Sequence, residues 1–170
     1  MPVRVDASHI AGAHGAFEPQ RKNNFTVIFT GTDGSVMQKA LQSFPFPRES
    51  NPAITVPFGN EERKVAGRAT FDDVTLVLKD FADQPVMRAL LDWRKQVYDP
   101  TTGKIGWARD YKRDGQLILS GPDGTVERKW DLKGMWPSAN EAGGGDMGDN
   151  SQNMISVTLS IDKAIPSSGF

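Results

Sequence analysis

Apolar and polar residues alternate with a period of two along much of this chain, the pattern of strands that bury one face. Phe25-Thr26-Val27-Ile28-Phe29-Thr30 sets Phe25, Val27 and Phe29 against Thr26 and Thr30, and Thr32-Asp33-Gly34-Ser35 reads as a turn closing a hairpin onto a strand from Val36 to Phe44. Pro45, Pro47, Pro52 and Pro57 follow; a proline lacks the ladder donor, so this stretch predicts an irregular excursion or an extended edge. Gly59 to Gly67, with Glu61, Glu62, Arg63 and Lys64, reads as a solvated turn of mixed sign. From Arg68 to Asp80 a strand resumes through Phe71, Val74, Leu76 and Leu78, and its change of phase at Asp72-Asp73 predicts a bulge.

A helical period appears once. Val86, Leu90, Trp93 and Val97 fall at i, i+4, i+7 and i+11, one apolar stripe; Asp83 suits an N-cap and Pro85 the first turn. Arg94 and Lys95 complement the C-terminal dipole, and Tyr98-Asp99-Pro100 predicts the stop. Three strands are expected next, Gly106 to Arg113, Gln116 to Ser120 and Thr125 to Lys133, the last two joined by the hairpin signal Gly121-Pro122-Asp123-Gly124. Trp136-Pro137 is expected to end that region. Residues 138–153 contain Glu141, Asp146 and Asp149 and no basic residue, and read as a long polar loop of the kind used for binding or assembly. Met154 to Lys163 has the cleanest alternation, Ile155, Val157, Leu159 and Ile161 against Ser156, Thr158, Ser160 and Asp162.

About seven mostly antiparallel strands with one inserted helix predict a mainly β fold, an antiparallel β-sandwich or partly open barrel with one flanking α-helix. Residues 1–22 lack sustained periodicity and read as an N-terminal arm, leaving 23–170 as the β domain.

Composition narrows what such a domain does. At 170 residues the chain has room for one core, and the 24% of charged residues nearly cancel to a net charge of -1, which is not the footprint of a nucleic-acid or anionic-membrane binder. The absence of cysteine removes disulfides, thiolate metal sites and cysteine nucleophiles. The first residues show no apolar core of a signal peptide, and no run approaches the roughly 18 apolar residues of a spanning helix, so a soluble cytosol-type product is expected.

Catalytic chemistry finds little support. His9 and His14 both lie in the expected arm, where neither a preorganised base nor a closed metal site forms. Gly143-Gly144-Gly145-Asp146-Met147-Gly148 matches G-x-G-x-x-G in letters, but it precedes a strand instead of following one, and no P-loop motif is present. Asn24-Phe25-Thr26 spells a glycosylation sequon that reads simply as the start of a strand. Asp72 and Asp73, adjacent on a strand, point to opposite faces and do not make a carboxylate pair across a cleft. Trp93, Trp107, Trp130, Trp136, Tyr98 and Tyr111 serve as core and subunit packing, or alternatively as a platform for stacking sugars or bases. No catalytic residue, metal or cofactor is expected; a β body with several open edges reads most economically as an assembly subunit.

Specific residues sharpen this. The run from Leu90-Leu91-Asp92-Trp93 through Tyr98-Asp99-Pro100-Thr101-Thr102-Gly103 to Gly106, then Tyr111-Lys112-Arg113-Asp114-Gly115, then Arg128-Lys129-Trp130-Asp131-Leu132-Lys133-Gly134-Met135-Trp136-Pro137, closely resembles the tail tube proteins of contractile-tailed bacteriophages. Tube subunits of contractile injection systems look like more distant relatives. The resemblance is strongest from Gly67 to Pro137. It implies a non-enzymatic structural protein that forms hexameric rings, stacked into a tube within a contractile sheath, through whose lumen the genome passes. It also implies partners: further copies of the chain, the tail sheath protein, baseplate or tube-initiation proteins, a tube terminator, and double-stranded DNA that slides without specific binding. The corresponding location is the virion tail, assembled in the bacterial host cytoplasm. On this reading Ser156, Thr158, Ser160 and Asp162 are the lumen candidates, being hydroxylic or acidic and unsuited to gripping phosphate. Pro45, Pro47, Pro52 and Pro57, with Glu141, Asp146 and Asp149, are the ring-contact candidates. Two alternatives stand beside it: a tube subunit of a phage-derived injection device, and a monomeric β-sandwich that binds carbohydrate or nucleic acid.

Overall fold

A computed structural model of the chain describes residues 20–31 and 33–168, so nearly all of the expected N-terminal arm lies outside the described residues. In chain order the elements are β1 Phe25–Phe29, α1 Gly34–Ala40, β2 Leu41–Ser43, β3 Glu49–Ser50, β4 Ala53–Phe58, β5 Glu61–Ala66, β6 Thr70–Phe71, β7 Val74–Lys79, α2 Pro85–Val97, β8 Tyr98–Asp99, β9 Lys104–Ile105, α3 Ala108–Tyr111, β10 Arg113–Ser120, β11 Val126–Glu141, β12 Met154–Ser160 and β13 Lys163–Ser168. The main sheet runs β1-β10-β11-β12-β7-β2, entirely antiparallel, with β13 also paired to β11. It curls into a half-barrel, which agrees with the partly open barrel expected from the strand pattern.

One long strand makes the curl. The sixteen residues of β11 pair through their first half with β10 and β13 and through their second half with β12. The corner lies at Gly134, whose positive φ of 65° suits glycine, and where a Cβ would collide with the carboxylate of Asp162. The expected end at Trp136-Pro137 does not occur. The second half of β11 has only β12 as a ladder neighbour and slips register between Pro137 and Ala139, so the missing proline donor breaks no ladder. Ser138, skipped by the slip, donates its hydroxyl to the Thr158 carbonyl at 3.1 Å, and Arg94 donates to the Ser138 carbonyl at 2.9 Å.

The stripe on α2 is buried as its spacing predicts: Val86, Leu90 and Trp93 are fully enclosed, Ala89 nearly so, and Val97 is half-buried. Trp93 donates its indole N–H to the Tyr111 carbonyl at 2.7 Å, and the Arg113 guanidinium lies 4.5 Å from its ring centroid. The N-cap is Gln84, in a left-handed conformation and without a side-chain cap bond, because the turn Gln84 N–H to Phe81 carbonyl leaves Asp83 one residue too early. Pro85 takes the first helical position as expected.

Several expectations are corrected. Where a hairpin turn is expected, Asp33 caps α1 instead: Gly34, Met37 and Ala40 bury one helical face, and Gly34 sits where any Cβ would meet the Phe29 carbonyl. Glu61 to Ala66 is a strand paired residue for residue with β4, not a solvated turn. Asp72-Asp73 is a break between β6, which pairs with β3, and β7 in the main sheet, so it is not a bulge. Within Gly106 to Arg113, Ala108 to Tyr111 form α3, packed against α2, and Arg113 already begins β10. The flanking helix is thus joined by two shorter ones. Residues 138–153 narrow to a loop of 142–153, and the last strand stops at Ser160, because the chain bends there to begin β13 on the other half of the sheet.

Candidate functional site

The face of the half-barrel turned away from its core is built by strict alternation. Along β12, Ile155, Val157 and Leu159 are buried while Ser156, Thr158 and Ser160 are half-buried on the opposite side. Ladder register sets Val77 and Glu141 beside Ser156, Thr75 and Ala139 beside Thr158, and Trp136 beside Ser160. The hydroxyls of Thr75 and Thr158 meet at 3.1 Å. Asp162 does not join this row: it stands past the end of β12 at the corner, where Lys112 Nζ reaches its carboxylate at 2.6 Å.

The other half of the sheet continues the same non-core face through Gln116 and Ile118 on β10, Lys129, Asp131 and Lys133 on β11, and Lys163 and Ile165 on β13. Two of its lysines are matched internally. Lys133 Nζ lies 2.7 Å from Asp114, which also accepts the Gly134 N–H at 3.1 Å, and Lys129 lies 3.9 Å from Asp131. The hydrogen bond from Lys133, then that from Gly134, holds the Asp114 carboxyl below the ordinary range, and the same bond raises Lys133. This half of the face thus presents Lys129 and Lys133 already paired with carboxylates, with Lys163 in register beside Lys133.

The ring-contact candidates divide between two ends of the fold. Pro45 and Pro47 lead into β3, Pro52 precedes β4, and Pro57 lies within β4, opposite Glu62. β4 and β5 form a hairpin whose twelve strand residues are all exposed, with Phe58 at 81% and Ile54, Val56 and Val65 also showing apolar surface. Its turn is Gly59-Asn60, and among the described residues its strands pair only with each other. Glu141 closes β11, while Asp146 and Asp149 are held in local turns, Asp146 by the Gly148 N–H at 2.8 Å and Asp149 by the Ser151 N–H at 2.9 Å. Those Ser151 bonds keep the Asp149 carboxyl below its usual range. The hairpin is reached through β6 from the Val74 end of β7, whereas the 142–153 loop abuts the Lys79 end, where the Asp80 N–H donates to the Asn153 carbonyl at 3.1 Å.

The aromatics do not form one platform. Trp93 is core, Trp130 stacks on Phe46 at 6.0 Å, Trp136 meets Tyr111 edge-on at 5.8 Å, and Trp107 is largely exposed beneath Arg109. Among the described residues no group of three His, Cys, Asp or Glu side chains is placed to hold a metal, and no helix is long and apolar enough to cross a membrane. His9 and His14 lie outside the described residues. Sequence reasoning missed a groove of about 670 Å³ beside α1, between β1 and the 41–46 segment; its signal was the proline-broken apolar run Phe44-Pro45-Phe46, of which Phe44 is buried and Phe46 exposed.

No family model matches the chain, and no curated protein does. Solved structures do. A chain of the PVC sheath–tube complex, an extracellular contractile injection system in its extended state, superposes with a TM-score of 0.70 at 18% identity, covering 97% of this chain and 99% of that one. A chain of the PVC sheath/tube terminator gives 0.72 at 18% identity over 90% and 99% of the two chains. A chain of the anti-feeding prophage tube-terminating cap gives 0.69 at 18% identity over 89% and 92%. At such identities the likeness is one of fold, and it spans nearly the whole of each partner. The fold is that of the structural proteins of contractile tubes.

Proposed function

We propose that the chain is a structural subunit of a contractile tail tube, assembling as stacked hexameric rings inside a sheath and enclosing a lumen lined by the hydroxyl face of β12. The observation that carries this is the near-complete superposition on chains of tube and tube-terminator assemblies. The open edges of the half-barrel support it, since among the described residues β1 and β2 end the main sheet without a further neighbour and a ring supplies one. Contact candidates at both ends of the β7–β12 ladder suit stacking: the proline-bearing hairpin segment at one end, Asp146 and Asp149 at the other. Sheath, initiation and terminator proteins are the partners such a tube requires.

For cargo, the reading is passage of double-stranded DNA in a phage virion tail. A second reading, the tube of a phage-derived injection device, is favoured by the origin of these neighbours in extracellular injection systems and anti-feeding prophage. Negative-stain electron microscopy of the purified chain tests the assembly. Sixfold rings or stacked tubes are expected, with a lag when no initiating template is present. A monomer at every concentration, template included, sinks the proposal and favours a monomeric binding module.

A further inference from the structure

We propose that the open seam of the half-barrel receives the tip of the β4–β5 hairpin from a second copy of the chain. This rests on the tube reading and adds to it the surface that holds the hairpin. The seam is where the curled sheet fails to close: β1 and β2 are its two ends, and α1 bridges them only in part. The groove left beside α1 is lined by Phe25, Val27, Leu41, Phe44 and Phe46, and among the described residues β1 has a ladder partner on one side only, β10. A wide apolar opening flanked by free strand backbone is a surface for an added strand with apolar side chains.

The hairpin presents the complement. None of its strand residues is buried in a single copy, and Phe58, at 81% exposure, contributes little to its own fold and gains apolar burial from another. Charge fits as well. Among the described residues Lys22 is the one charged side chain lining the groove and no carboxylate lines it, and Glu61 and Glu62 stand next to the hairpin turn. Hairpin and seam are different surfaces, so the contact is head-to-tail and passes from copy to copy without closing on a pair, as a polymer requires.

The chain has no cysteine, so introduced ones report cleanly. With Phe58→Cys and Gln42→Cys in one chain, oxidised tubes should give a ladder of covalent dimers, trimers and longer species, while either single variant stops at dimers. Phe58→Asp should raise the concentration needed for assembly by at least about tenfold with unchanged monomer melting, because Phe58 is exposed within its own copy. Lys22→Glu should weaken assembly, and Glu61→Lys with Glu62→Lys should restore it. Tubes that form without the ladder, or Phe58→Asp assembling like the parent, overturn the seam as receptor and leave the tube reading standing. Cross-linking that appears only after removal of residues 1–19 gives the seam to the chain's own N-terminal segment and also overturns the proposal. A chain that never polymerises overturns it together with the tube reading.

Discussion

Trp93 ties α2 to α3 and to the start of β10. It fills the core, its N–H satisfies the Tyr111 carbonyl, and Arg113 covers its ring. Trp93→Ala should cost about 3–5 kcal/mol in denaturant unfolding; Trp93→Phe, which keeps most of the volume but orphans that carbonyl, about 1–3 kcal/mol. An unchanged midpoint for both would mean the stripe is not packed. Asp114 and Lys133 mark the corner and make a pH prediction with a definite sign. Asp114 titrates below the ordinary carboxylate, so its stabilisation is complete above the unfolded-state value and is lost as pH falls through the depressed one. Lys133 titrates above the ordinary lysine, so its part holds below the unfolded-state value and disappears as pH rises through the raised one. Between about pH 6 and about pH 3 the parent should lose more stability than Asp114→Asn. Equal loss would show that solvent screens the pair completely, as it does for many exposed ion pairs.

At the scale of elements, patterning was legible wherever burial is one-sided. The stripe of α2 and the alternation of β12 read correctly because a core on one face imposes its period on the residues. The β4–β5 hairpin escaped detection for the opposite reason: with both faces exposed, Glu61-Glu62-Arg63-Lys64 carries no alternation, and only register with β4 reveals a strand. By sequence α1 reads as a strand because Met37, Ala40 and Leu41 are too few to separate the two periods. The hairpin prediction follows from its exposure. Replacing residues 53–66 by a short glycine linker should leave monomer melting nearly unchanged and abolish tube formation; a large drop in stability would mean that the hairpin braces its own fold, and normal tubes that it has no role in assembly.

For the whole molecule, the lumen assignment is tested by charge. If Thr158 faces the lumen, Thr158→Lys places six positive charges in each hexameric ring, beside a hydroxyl row that otherwise offers phosphate nothing. Counterion release repeated along the tube should then slow DNA passage at low salt, with recovery as salt rises. Assembly should persist, because a long side chain can carry its charge into water. Ejection rate or infectivity against ionic strength is the readout: normal ejection at low salt would put this face outside the lumen, and failed assembly would put it in a packed interface. The strand-rich class, the helix, the buried stripe and the hydroxyl face of β12 follow from sequence alone, since each is set by local period or by turn chemistry. Tertiary structure alone decided that β11 runs through Pro137 and joins both halves of the sheet, that Asp162 leaves the hydroxyl row for Lys112, and that β1 and β2 leave a seam between them. These depend on which strands become neighbours, and residues far apart in the chain settle that through shared burial and ladder register, which no local window contains.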